Sequence, residues 1–185
     1  QDEGIVTSPR QAVDLDPAPG VVHVKLRAER VTYRRGGQVI EGYGYDGISP
    51  GPTLRARVGD TVVADIENAL DIPTTVHWHG VHLPSGMDGV GGLSQRVIPP
   101  GKTFKYEYTM RRPGTFMYHP HFDEMTQIAL GMVGMIVVHP RGGGARRVRD
   151  YSLMAHEWKI EPGAARPDPM AMNDWMIWKP PPAAS

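Results

Sequence analysis

The sequence predicts an all-β fold, a two-layer β-sandwich, on three observations. Short segments alternate apolar and polar residues at the period of a half-buried strand. Turn-forming residues separate them, 22 glycines and 18 prolines in a chain of 185 residues. Only residues 123–130 carry helical spacing.

Residues 21–28 (VVHVKLRA) alternate cleanly, residues 61–66 (TVVADI) follow a Gly59-Asp60 turn, and residues 104–108 (FKYEY) follow Pro99-Pro100-Gly101. Each buries one face, as strands of a sandwich do. In the single helical stretch Asp123 is the expected N-cap, Met125, Ile128 and Ala129 share one side, and Gly131 is the stop. Residues 135–138 (MIVV) form a continuous apolar strand closed by His139-Pro140. The Gly142-Gly143-Gly144 loop that follows marks a domain edge, which divides the chain into 1–145 and 146–185. A further strand is expected over residues 151–155. From Glu161 to Ser185 the chain is proline-rich, lacks a strand period and carries Trp175 and Trp178. It is either the start of a following domain or an extended arm, and two tryptophans in need of burial favour docking over a free tail.

Composition narrows the function classes. The length suffices for one domain with a real core. Lys plus Arg and Asp plus Glu number 20 each, so no bulk field draws the chain to nucleic acid or to an anionic membrane, and binding must come from a local site. The absence of cysteine excludes disulfides, iron–sulfur clusters, thiol catalysis and a cysteine-ligated blue-copper centre within this chain. The longest apolar stretch, residues 131–139, is too short to span a bilayer, so no membrane segment is expected, and no signal peptide is visible. A chain starting at Gln1 is what a processed export product shows, although an excised piece looks the same.

The chemistry-bearing pattern is a repeated His-x-His: His77-Trp78-His79 and His119-Pro120-His121. In an extended strand the side chains at i and i+2 share a face about 6.5–7 Å apart, so each pair presents two imidazoles side by side. Four converge if the strands are neighbours. With no thiolate available, such a set favours copper or zinc over magnesium or calcium. Trp78, between two candidate ligands, is expected to pack into the core from the opposite face. A four-histidine zinc hydrolase is the alternative from another class, and it needs a carboxylate base, for which Asp88 and Asp123 are the candidates. Of the other histidines, His82 reads as a surface residue, and His23, His139 and His156 as ordinary strand residues. Met110, Met117, Met125, Met132 and Met135 read as core filler rather than as a soft path for cuprous copper.

The segments TVHWHGVH (75–82), MDGV (87–90), IPPG (98–101), GTFMYHPH (114–121) and Gln127-x3-Gly131-x2-Gly134-x-Ile136-Val137-Val138 resemble, in order and spacing, the first cupredoxin domain of the multicopper oxidases, the laccase-like group. The resemblance runs from about Val21 to Pro140. It implies a cupredoxin-type Greek-key β-sandwich with one short helix after the second His-x-His pair. Residues 151–160 also resemble the opening strand of the following domain. Carried over by position, His77 would serve a type 2 copper, and His79, His119 and His121 the type 3 coppers, of a trinuclear cluster that reduces O2 to water while another substrate is oxidised. Asp88 would assist proton delivery. These are four of the eight histidines that such a cluster needs. The other four and the cysteine-bearing type 1 site belong to the last domain of the family pattern and are absent here. The chain alone is therefore not expected to be a working oxidase. The missing half would come from a C-terminal cupredoxin domain, a separate chain or another copy of this one. A stand-alone copper-binding or sequestration module without turnover is the alternative, and the setting implied is periplasmic or secreted.

Two local expectations accompany the resemblance. The family commonly has serine where this chain has Pro120, and proline removes a backbone donor and restricts φ, which is compatible with an edge position and can reorient His121. Asp123 would either orient an imidazole or cap the helix, whereas Glu124 is expected simply to be solvated.

Overall fold

The computed structural model describes residues 10–35, 38–142, 153–156, 160 and 166–168. Eight strands are placed in it: β1 (Val21–Arg35), β2 (Gln38–Tyr45), β3 (Gly51–Arg57), β4 (Thr61–Asn68), β5 (His77–His79), β6 (Thr103–Thr109), β7 (Gly114–His119) and β8 (Gly134–His139). One α-helix, α1 (Glu124–Ala129), lies between β7 and β8, and a single 3-10 turn, Ser85–Met87, follows β5 among the described residues. The strands form two four-stranded sheets, ordered β2-β1-β4-β6 and β3-β8-β7-β5. The expected all-β sandwich with one short helix after the second His-x-His pair is what the chain adopts.

Both sheets mix directions. β1 pairs parallel with β4 and β3 parallel with β8, and the remaining neighbours are antiparallel. β1 is nearly twice as long as the alternating run that predicts it. Its first half, through Ala28, pairs with β4, and its second half, from Ala28 to Arg35, pairs with β2. That second half buries Val31 and Tyr33 against Ile40 in a small cluster separate from the main core. β2 and β3 escape the period-two reading because glycines and prolines interrupt both, Gly42 and Gly44 in β2 and Gly51 and Pro52 in β3. At Gly42 a Cβ would strike the Leu130 carbonyl, which instead accepts the Tyr43 N–H at 2.7 Å.

The main core lies between the sheets. Leu26, Ile66 and Tyr106 come from one, and Leu54, Trp78, Tyr118 and Ile136 from the other. Trp78 is fully buried, with ring centroids 5.3 Å from Tyr106 and 5.1 Å from Tyr108. It therefore anchors β5 from the inner face, as its sequence position suggests. Because side chains alternate along a strand, the histidines flanking Trp78 point away from the core, onto the outer face of the second sheet.

α1 departs from its expected start. Asp123 has φ 48° and ψ 43°, a left-handed conformation, and its side chain makes no capping bond. The ordinary N-cap is extended; here the turn from His121 into the helix takes that geometry instead. The buried residues of the helix are Gln127 and Ala129, with Met125 and Ile128 half-buried. Gly131 ends it with φ +112° as expected. Of the strand expected over residues 151–155, residues 153–155 are described and none is in a strand, while Tyr151 and Ser152 lie outside the described residues. Trp175, Trp178 and the final prolines also lie outside them. No helix among the described residues is long and apolar enough to cross a membrane.

Candidate metal centre

β5 and β7 run antiparallel with His77 directly opposite His119, Trp78 opposite Tyr118, and His79 opposite Met117. This register brings both His-x-His pairs to one place. Ring centroids lie 5.5 Å apart for His77–His79, 5.3 Å for His77–His119, 5.4 Å for His79–His119 and 5.1 Å for His77–His121. One ring nitrogen from each of His77, His79 and His119 lies within 4.8 Å of the other two. His121 is beyond the end of β7, flanks His77, and stands farther from His119, at 6.4 Å.

Hydrogen bonds decide which nitrogens are available. His77 Nδ1 lies 2.7 Å from the Asp88 carbonyl oxygen, and His119 Nδ1 lies 2.8 Å from that of Pro120. A carbonyl only accepts, so each Nδ1 is the donor and each neutral ring keeps its lone pair on Nε2. That is the usual way a metal-binding imidazole is oriented. His119 Nε2 in turn lies 3.2 Å from His79 Nδ1. Two nitrogens bound to one ion at about 2.0–2.1 Å and a tetrahedral angle are about 3.3 Å apart, so this pair already has the spacing of two ligands on a single metal. Burial lowers the His119 pKa, against the opposing effects of the Pro120 carbonyl and Glu124, with the facing His77 and His79 adding to the lowering. The ring is thereby held in the neutral form that binds metal. The donor set fits copper or zinc.

Two of the surrounding carboxylates, Asp123 and Glu124, differ from expectation. The Asp88 carboxylate is 3.3 Å from His77 Nδ1, so this residue faces the site with both its main chain and its side chain. Its approach depends on Gly89, whose φ is +80° and where a Cβ would collide with the Val76 carbonyl. Glu124, expected to be solvated, places its carboxylate 3.7 Å from both His119 Nδ1 and His121 Nε2. The first turn of α1 carries it back over the pair, a placement that the bare sequence does not disclose. Asp123 is exposed and takes no part in the contacts described around the imidazoles.

Pro120 suits its place: it is buried, and its carbonyl is the one His119 uses. His121, past the ladder, donates its backbone N–H to Thr75 Oγ1 at 3.1 Å. Neither Thr75 nor Gln127 stood out in the sequence as a site residue. Only the closure of α1 onto the segment before β5 reveals them.

Beside His79 an open cavity of about 500 Å³ is lined by Arg112, Phe116, Met117, Met135 and Met154 among others. Arg112 donates to the Gly80 carbonyl at 2.8 Å and covers the Phe116 ring. Met110 and Met132 are enclosed in the core, consistent with filler. Of the remaining histidines, His82 is exposed, His23 Nε2 contacts Asp65 at 2.8 Å, and His139 Nε2 contacts Arg55 at 3.2 Å. They lie apart from the cluster.

A family model described as multicopper oxidase matches residues 27–143. Among curated proteins, Copper resistance protein A of Pseudomonas syringae pv. tomato is 42% identical over 92 residues, 50% of this chain and 15% of that protein. L-ascorbate oxidase of Cucurbita maxima is 43% identical over 122 residues, 62% of this chain and 21% of that protein. Among solved structures, a multi-copper oxidase from Pseudomonas Thermotolerans is similar with a TM-score of 0.67 at 40% identity, covering 69% of this chain and 31% of that one. The chain thus spans about a fifth of the length of the curated relatives it matches.

Proposed function

The chain belongs to the multicopper oxidase family, and on that premise we propose that His77, His79, His119 and His121 are half the ligand set of a type 2/type 3 trinuclear copper site. The observation that carries this reading is the convergence of His77, His79 and His119 nitrogens within 4.8 Å, with His121 beside His77. Such a cluster, when complete, supplies the electrons that reduce O2 to water while another substrate is oxidised. The 3.2 Å spacing supports His79 and His119 as ligands of one type 3 copper. His121 then serves the second type 3 position and His77 the type 2 position.

Several of the chain's other groups have roles in this reading. The Asp88 carbonyl fixes His77 with Nε2 free, and the Asp88 carboxylate, 38% exposed, is placed to pass protons between solvent and the site. The Pro120 carbonyl fixes His119 in the same way. Glu124 offsets the charge that a cation brings near His119 and His121. Residues 1–145 form the cupredoxin domain in this proposal, and 146–185 begin a following domain or form a proline-rich arm. The remaining four histidines and the electron-accepting type 1 site come from a further domain, another chain or a second copy, in a periplasmic or secreted setting.

The name of the relative Copper resistance protein A favours one second reading, a copper-binding module without turnover. Copper loading tests the site shared by both. Copper per chain is measured by mass spectrometry and mass in solution by light scattering, for the wild type and for H79A/H121A. Copper bound by the wild type and lost from a folded double variant is expected; equal copper in both refutes the assignment. Two or more coppers per dimer with O2 uptake favour the shared cluster, and bound copper without O2 uptake favours the module.

A further inference from the structure

His121 differs from the other three candidate ligands in how it is held. His77, His79 and His119 are strand residues at the β5–β7 pairing, whereas His121 follows Pro120 beyond the last paired residue of β7. One buried group bonds to it instead, and a second, Gln127 of α1, ties the helix to the same segment. Thr75 Oγ1 accepts the His121 N–H at 3.1 Å, only two residues before His77. Gln127 accepts from Thr74 Oγ1 at 2.6 Å through Oε1 and donates to the Pro73 carbonyl at 2.9 Å through Nε2. Thr74, Thr75 and Gln127 are all fully buried. The 73–76 segment is itself fixed, because Thr74 and Ile98 exchange backbone hydrogen bonds and Val76 N–H donates to Tyr106 Oη at 3.0 Å.

We propose that Thr75 and Gln127 are positioning residues that clamp His121 and α1 onto the segment leading into β5, and so set the 5.1 Å separation of His77 and His121. Buried polar groups of this kind are costly when unpaired and rigid when satisfied. Five residues separate His121 from Gln127, so both ends of the connection into the helix are tied to one short segment. Without the clamp His121 is the ligand that drifts, while the other three keep their strand register. The inference rests on the proposed copper site for its consequence, but the clamp itself belongs to the metal-free fold.

The test uses the full chain with Thr75→Val, which keeps shape and removes the acceptor, Thr75→Ser, which keeps the hydroxyl, and His121→Ala. In metal-free protein, exchange of the His121 amide should speed up about tenfold in T75V and stay near wild type in T75S. Titration with Cu(II) should show an affinity about 10–100-fold weaker for T75V, restored by T75S. Adding T75V to H121A should change the affinity no further, because the clamp acts through His121. Unchanged His121 exchange in T75V overturns the clamp. Wild-type affinity in T75V, or a loss that persists undiminished in the H121A background, overturns its positioning role. A wild-type protein that binds no Cu(II) refutes the copper reading instead, and amide exchange still decides the clamp.

Discussion

Replacing Gly89 with alanine isolates what holds Asp88 against His77, and Gly92 supplies the control. Both glycines have left-handed backbones, φ +80° and φ +83°, but a Cβ at Gly92 meets nothing within 4 Å, whereas at Gly89 it runs into the Val76 carbonyl and the His77 nitrogen. A side chain in the left-handed region costs about 1–2 kcal/mol, so G92A should lose about that much stability. G89A carries the same strain and must also move its loop off β5. That movement breaks the His77 Nδ1–Asp88 bond of 2.7 Å, a loss of about 0.5–1.5 kcal/mol, and brings the total to about 1.5–3.5 kcal/mol. His77 is then free to rotate, and an imidazole without its orienting partner binds metal about 10–100-fold more weakly. Urea unfolding of metal-free protein reads the first effect and Cu(II) titration the second. Equal stability of G89A and G92A, together with wild-type copper affinity in G89A, would refute the reasoning that this glycine sets the ligand geometry.

Three further outcomes follow from the same structure. Trp78→Ala removes a fully buried indole that anchors β5; about 3–5 kcal/mol should be lost in urea unfolding, and a smaller loss would mean that β5 does not depend on it. Burial lowers the pKa values of both His119 and His156 below the ordinary 6.5. Above pH 6.5 folded and unfolded chains are both neutral there, whereas on acidification the unfolded chain takes up the protons first. Metal-free stability should therefore be level above pH 6.5 and fall below it, by at most about 1.4 kcal/mol per pH unit for each histidine; thermal melts at pH 7.5, 6.5 and 5.5 check the direction, and rising stability below pH 6.5 would contradict it. Copper at about 100 times its dissociation constant should raise wild-type stability by about 2.7 kcal/mol, reversibly on chelation, and a midpoint indifferent to copper would remove the site from the folded state.

The regular parts of this molecule were legible because their reasons are local. Alternation over 21–28, 61–66 and 104–108 announced strands that bury one face, and the repeated His-x-His spacing announced two pairs of imidazoles, each on one strand face. The flanking motifs resembled a family to which the chain does belong. The second half of β1 and the strands β2 and β3 were not legible. Val31 and Tyr33 are buried only because β2 folds back on β1, and the glycines and prolines of β2 and β3 fit strands only where neighbouring backbone crowds in. The sequence by itself determined the four histidines, their spacing in pairs and the sandwich that presents them. The tertiary structure alone decided that His77 lies opposite His119, that the Asp88 and Pro120 carbonyls orient those two rings, that Glu124 and Thr75 approach His121 outside the ladder, and that Gln127 ties α1 to the segment before β5. The physical reason is that register, loop closure and helix docking are contacts between residues far apart in the chain, and no local period encodes them.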